Sequence, residues 1–213
     1  MKILELFAGS RSFSKVAEEL GHEVYTTDYK PFDKIDQVCD IRDFDPLELK
    51  DKFGKPDIIW ASPPCTYFSV ASIGHHWNKD HTPKTKEAIE GLNIVDHTLF
   101  LIKLLNPTYF YIENPRGKLR KLDVINKNRF LSVPLRRTVT YCSYGENRMK
   151  PTDIFTNDWN WIPRQMCFNG NRECHHEPAP RGSRTGTQGM VNAYEKSKVP
   201  YELCKEILEE KNE

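Results

Sequence analysis

Long apolar runs are missing from this sequence of 213 residues. Mean hydropathy is −0.65, and no stretch approaches the roughly 18 consecutive apolar residues of a membrane-crossing helix. Charge of one sign is missing too: 31 Lys and Arg face 30 Asp and Glu, so any affinity for a polyanion must come from local clusters rather than from a global field. There is no Gly-x-Gly-x-x-Gly loop, which disfavours a pyrophosphate-binding dinucleotide site. Cysteine is sparse, with six residues, and the N-terminal MKILELFAG reads as a buried strand rather than a secretory leader. Reduced thiols in a soluble cytoplasmic protein without a membrane partner are therefore expected. The length and a hydrophobic content of 38% suit one domain with a sizeable core, spanning 1–213. No internal repeat is apparent.

What is present is an alternation. Short apolar runs occur at 2–8 (KILELFA), 23–28 (EVYTTD), 57–63 (DIIWASP), 109–115 (YFYIENP) and 138–144 (TVTYCSY). Between the first two, Phe13, Val16, Ala17 and Leu20 share one helical face, and Gly21 stands where a helix would stop. From about Lys86 to Leu105, Leu92, Val95, Leu99 and Ile102 form an apolar stripe, with Pro107 beyond its end. A last helix starting at Pro200 turns Leu203 and Ile207 inward. The predicted order is β-α-β, β, α-β, two further strands and a C-terminal helix. That order means an α/β fold with a mixed, mostly parallel sheet and helices on both faces. Residues 158–192, rich in Gly, Pro, Arg, Cys and His, are expected to form a small irregular insert.

The chemistry-bearing residues cluster at strand ends. Leu6-Phe7-Ala8-Gly9-Ser10 closes the first strand, and Gly9 lets a ligand approach the backbone beyond the sheet's carboxyl edge. Asp28 ends the second strand, where an acid can accept hydrogen bonds from ribose hydroxyls, and Asp40 in VCDIRDF is placed to hold an adenine amino group. Together they outline a nucleoside-shaped cofactor. In Ala61-Ser62-Pro63-Pro64-Cys65, two prolines fix a rigid turn and project a thiol from the top of the sheet, poised as a nucleophile. The next strand carries Glu113 and Asn114 to the same lip, and a carboxyl after apolar strand residues needs a partner.

The string LFAGSRSFSKVAEELGHEVYTTD, then SPPC, then ENP, resembles the DNA cytosine-5 methyltransferases, particularly the short forms found in bacteriophage genomes. The resemblance spans about 1–157, with a weaker echo in Val199-Pro200 and the helix after it. It implies a Rossmann-like S-adenosylmethionine-dependent methyltransferase fold, DNA as substrate, and a restriction-modification setting in a bacterial or phage-infected cell. Phe7, Ala8, Gly9, Ser10, Asp28, Asp40 and Pro63 would line the S-adenosylmethionine site. Cys65 would add to carbon 6 of cytosine, making carbon 5 nucleophilic towards the sulfonium methyl, while Glu113, with Asn114 beside it, would bind ring nitrogen 3 and the amino group.

Departures from the family pattern are specific. Its Gln-x-Arg-x-Arg element is replaced by the stretch at 144–152, where Arg148 and Lys150 are the two candidate cations for the cytosine carbonyl. Arg11 occupies a position usually given to glycine, where it either reaches a cofactor carboxylate or the DNA or stands exposed to solvent. No large target-recognition domain is present. Only 158–192 could replace it, so specificity would be short, relaxed or supplied by a protein partner to a monomeric enzyme. Because the base must leave the stack to reach Cys65, a duplex would have to be flipped open or single strands used.

From Arg116 to Arg137 eight Lys or Arg stand against one acid. A charge run is usually a solvated face, but its place after Glu113 suggests phosphate binding by Arg116, Lys118, Arg120 and Lys121, with Arg181 and Arg184 from the insert. Within that insert, Cys167, Cys174, His175 and His176, with Cys142 as a further donor, either hold a structural zinc or form a metal-free loop that uses them for packing or DNA contact. Three other readings keep parts of the pattern: an exocyclic-amino methyltransferase, cytosine-5 methylation of RNA or a free nucleotide, and a catalytically silent nucleic-acid-binding module.

Overall fold

Neighbouring side chains of a strand point to opposite faces, and in the run at 2–6 both faces are apolar. The computed structural model, which describes residues 1–179 and 192–211, shows the consequence. Ile3 packs into one core and Leu4 into another, with the sheet between them.

Strands β1 (Lys2–Leu6), β2 (Glu23–Asp28), β3 (Gln37–Val38), β4 (Ile58–Ala61), β5 (Tyr109–Pro115), β6 (Leu135–Thr140) and β7 (Pro151–Thr156) lie in the order β3-β2-β1-β4-β5-β7-β6. Every pairing from β3 to β5 is parallel, and β7 runs antiparallel to both its neighbours. The expected mixed, mostly parallel sheet is found. The run at 138–144 is not one strand, however: β6 begins earlier and stops at Thr140, and Tyr141–Tyr144 winds into a 3-10 turn. The chain must reverse there into β7, and Gly145, at φ +87°, supplies the left-handed residue that closes the turn.

One face of the sheet is covered by α1 (Ser12–Glu19) and α7 (Tyr201–Glu209), which bury Phe13, Val16, Leu203 and Ile207 against Ile3, Trp60 and Tyr111. The other is covered by α2 (Pro46–Lys52), α4 (Lys86–Leu105) and α5 (Asp123–Asn126). Helix α4 has the predicted bounds. The Thr85 side chain accepts from the Ala88 amide at its start, and Asn106, at φ +48°, ends it before Pro107. Its Val95, Leu99 and Ile102 are buried, each contributing about 1.5–3 kcal/mol by area. Two short helices, α3 (Ile73–His76) and α6 (Ala193–Ser197), lie outside these layers. Among the described residues no helix is long and apolar enough to cross a membrane.

From β1 the chain winds outward through β2 and β3, then returns to β4 on the other side of β1 and proceeds to β5. The strand order therefore switches direction between β1 and β4, and the loops leaving their carboxyl ends diverge to open a crevice. Those loops carry Phe7–Gly9 and Pro63–Cys65. Residues 158–179 contain no helix or strand. They are nevertheless anchored, because Trp161 is fully buried and its indole nitrogen donates to Glu206 Oε1 at 3.2 Å.

Candidate active site

At the tip of β1 the backbone is strained. Phe7, a non-glycine residue, adopts φ +61°, and Arg11 follows at φ +51°. The left-handed backbone at Arg11 explains why glycine suits that position. Of the alternatives open for Arg11, solvent exposure is excluded: it is 6% accessible, and its guanidinium pairs with Glu18 on the same helix. Gly9 is tightly enclosed, since a β-carbon there would stand 3.0 Å from the Phe32 ring and 3.3 Å from Asp28 Oδ2. Asp28 is buried, accepting from the Gly9 amide at 3.0 Å and the Lys30 amide at 3.0 Å, and burial pushes its carboxyl above the ordinary range despite those bonds.

Ser10 turns towards Ser12, with 2.8 Å between hydroxyls, and Ser12 Oγ accepts from the Val199 amide. The Val199-Pro200 echo is thus joined to the glycine loop. Ala8 is buried, and its amide donates to Thr27. Asp40 caps the 3-10 turn at Ile41–Asp43, and the Arg42 guanidinium forks onto both its oxygens at 2.8 and 2.7 Å, holding its carboxyl down to about 2. A ligand amine at Asp40 would share that fork. Asp28 links the loop after β1 to this segment, since its side chain accepts from the Gly9 amide and its carbonyl from the Cys39 amide, next to the partly exposed Asp40.

Cys65 follows the Pro-Pro turn at the end of β4. Asn114 holds the turn in place, donating from Nδ2 to the Pro63 carbonyl at 3.2 Å. That contact ties β5 to the turn that carries the thiol. Cys65 keeps partial exposure, but burial raises its thiol above the ordinary value, the Glu113 charge raises it further, and the Lys150 charge opposes both. Beyond it, the Lys118 amide donates to the Phe68 carbonyl at 2.7 Å, an approach that only the bare backbone of Gly117 permits.

Glu113 sits one residue past the β4–β5 pairing of Ala61 with Ile112, and is 5% accessible. Its Oε1 accepts from the buried Tyr141 hydroxyl at 2.9 Å and lies 3.6 Å from Lys150 Nζ. Lys150 also stands 4.5 Å from the Tyr141 ring centroid. Between the two candidate cations, the structure brings Lys150 to Glu113. Arg148 is buried too, but it faces Glu146 Oε2 at 3.0 Å and the Lys196 and Lys198 carbonyls. Tyr141 was not singled out from sequence. Its one signal is an aromatic hydroxyl in the middle of the run at 138–144, which a buried site must satisfy.

The basic stretch lines a groove of about 730 Å³ with Trp77, Lys79, His81 and Lys84. Within it, two of the residues expected to meet phosphate are committed elsewhere. Arg120 forks onto Asp153, with Nε to Oδ2 at 2.8 Å, and Lys118, 4% accessible, donates to His81 Nδ1 at 2.7 Å. Arg116 and Lys121 line the groove without such internal pairs among the described residues, and Lys79 and Lys84 join them. Arg181 and Arg184 lie outside the described residues.

Of the four insert residues proposed for a metal, Cys167, Cys174 and His176 come together with Cys142. His175 does not, because its Nε2 lies 2.9 Å from the Glu146 carbonyl oxygen.

A family model described as C-5 cytosine-specific DNA methylase matches residues 1–131. A Frog virus 3 (isolate Goorha) protein named "Probable DNA (cytosine-5)-methyltransferase" is 28% identical over 227 residues, covering 98% of this chain and 99% of that protein. An E. coli prophage protein described as a "putative DNA modification methyltransferase" superposes with a TM-score of 0.58 at 16% identity, over 79% of this chain and 52% of its own. That likeness shows the fold, and the chain spans about half the length of the solved structures it matches.

Proposed function

The chain belongs to the C-5 cytosine-specific DNA methylase family, and we propose that its reaction, methyl transfer to carbon 5 of cytosine in DNA, runs through Cys65. The observation that carries this reading is the Glu113 carboxylate, held by Tyr141 and Lys150 on the strand beside the Cys65 turn.

The chain's own residues divide the work. Pro63, Pro64 and Asn114 hold Cys65 rigidly at the crevice, so little orientational freedom is lost when a base arrives. The Cys65 thiol gives up its proton to solvent, the thiolate adds to carbon 6, and the electron pair displaced from the 5,6 double bond makes carbon 5 a nucleophile. Glu113 binds ring nitrogen 3 and the amino group, and Lys150 supplies the positive charge for the ring carbonyl that the family assigns to arginine. Gly9, Phe7, Asp28 and Asp40 form the cofactor side, with Asp28 offering a buried carboxylate to ribose hydroxyls. S-adenosylmethionine held there would supply an electrophilic methyl group to carbon 5, its sulfonium sulfur–methyl bond breaking to leave the neutral thioether, S-adenosylhomocysteine. A base then removes the carbon-5 proton, and elimination returns the electron pair to the Cys65 sulfur. The groove of Arg116, Lys121, Lys79 and Lys84 receives the phosphate backbone beside the extruded base.

The test is incubation with labelled S-adenosylmethionine and cytosine-rich single- or double-stranded DNA, followed by nucleoside mass spectrometry. We expect 5-methylcytosine that disappears in Cys65→Ala while cofactor affinity stays nearly unchanged. Wild-type transfer by that variant overturns the mechanism, and a methylated amino group overturns the ring-carbon assignment. Cofactor binding with product only from RNA or free cytidine overturns the DNA assignment.

A further inference from the structure

The turn after β6 and the irregular segment at 167–176 meet in a cluster that the methylation site does not use. We propose that Cys142, Cys167, Cys174 and His176 form a closed structural zinc site. Their donor atoms all lie within 4.8 Å of one another. A tetrahedral zinc with Zn–S of about 2.3 Å and Zn–N of about 2.05 Å puts a sulfur and a nitrogen about 3.6 Å apart. Cys167 Sγ and His176 Nδ1 are 3.7 Å apart.

The surroundings are those of a ligand set. His176 is 4% accessible, yet its Nε2 has no hydrogen-bond partner among the described residues and its Nδ1 faces the Cys167 thiol. An imidazole is costly to bury in that way unless a nitrogen meets an electrophile. Asn171 Nδ2 lies 3.4 Å from Cys167 Sγ, and the Cys167 amide donates to Thr140 Oγ1 at 2.8 Å, so a Cys167 thiolate would have an oriented donor on a fixed backbone. All three thiols are free, and their odd number means that no disulfide pairing could use them all. Three soft thiolates with one imidazole are a zinc donor set with no position left open for a substrate, which makes the site structural rather than catalytic. Binding would release the thiol protons to solvent.

The consequence reaches the active site. Cys142 follows Tyr141, whose hydroxyl holds Glu113. A metal at Cys142 ties this turn to a segment that has no helix or strand of its own, and so fixes the Tyr141 side of the Glu113 contact.

The full chain, expressed with added zinc and purified without a metal-affinity step, is assayed by plasma mass spectrometry. One zinc per chain is expected, retained by His175→Ala and reduced about tenfold or more by Cys174→Ser and His176→Ala. Titrating the unmutated protein with a mercurial should release zinc in step with loss of three thiols, read by a chromophoric chelator, so the test does not depend on variants that fold. Protein that neither retains nor takes up zinc overturns the proposal. So does another metal at full occupancy, zinc lost from His175→Ala but kept by His176→Ala, or a disulfide among these cysteines in freshly lysed cells. These readouts need no methyl transfer, so they stand or fall apart from the proposed reaction.

Discussion

Lys150 Nζ lies 3.6 Å from Glu113 Oε1, and both side chains are less than a tenth exposed. The two residues come from antiparallel partners: Glu113 from β5, and Lys150 from the residue just before β7. Each charge compensates the other in a place where either alone would be costly, and Tyr141 adds a hydroxyl donor to the same carboxylate oxygen.

Lys150→Met should therefore cut turnover by about 10²-fold or more, the scale for losing one group that stabilises developing charge. Cofactor affinity should hold, because the proposed reaction sets Lys150 against the base and not the cofactor. Arg148→Met should cost stability instead, since Arg148 stands over the Tyr141 ring without reaching Glu113 and bonds Glu146 and the carbonyls before α7. Steady-state kinetics and thermal melts on both variants decide the matter: equal turnover losses would remove Lys150's special role.

The ionisation of Cys65 gives a second handle. Burial and the Glu113 charge raise the thiol, and the Lys150 charge lowers it. Iodoacetamide labelling of the Cys65 peptide, followed by mass spectrometry across pH, should show an apparent pKa above that of an ordinary thiol. Glu113→Gln removes a raising influence, so labelling at neutral pH should speed up even as methylation collapses. Lys150→Met should slow it. The opposite order would mean that neither charge faces the sulfur.

Glu5 lies beneath the glycine loop, fully enclosed, with its Oε2 accepting from both the amide and the hydroxyl of Ser14. Burial pushes its carboxyl from 4.5 up to about 7, so the folded state holds this proton more tightly than the unfolded chain does. The favourable contribution is complete below the unfolded value, declines as pH rises between the two, and is gone above about 7, a loss of about 3 kcal/mol. The melting-temperature difference between Glu5→Gln and the unmutated protein should move in favour of the variant between pH 5 and pH 8. A difference that is flat with pH would mean that Glu5 ionises normally in the fold.

On the basic groove, the double variant Arg116→Ala/Lys121→Ala should weaken DNA binding and reduce the salt dependence by about two phosphate contacts. Arg120→Ala should lower the melting temperature, because Asp153 is left buried without its cation. Fluorescence anisotropy over a salt series separates the two. If Arg120→Ala melts normally and loses DNA binding, the groove is used differently.

Much of this was readable in one dimension. Strands β2 and β5 and helix α4 coincide with their apolar patterns, since period-two runs and capped helical stripes are local properties. Strand β3, at two residues, is too short to carry a pattern, and the run at 138–144 misled because strand and 3-10 turn are equally apolar there. The charge run at 116–137 announced a basic surface, but not that Arg120 and Lys118 spend their charges inside it.

The sequence by itself determined the sheet and the family, and it singled out the proposed nucleophile and carboxylate, because Ser-Pro-Pro-Cys and Glu-Asn-Pro are contiguous motifs whose geometry is set by neighbouring residues. The tertiary structure alone decided which cation meets Glu113, that Tyr141 holds it, and that Cys142 rather than His175 completes the cysteine cluster. Those partners are 28 to 37 residues apart in the cases of Glu113 with Tyr141 and with Lys150. They are joined by the antiparallel register of β5, β7 and β6, and a register is a property of paired strands that neither strand's own residues express.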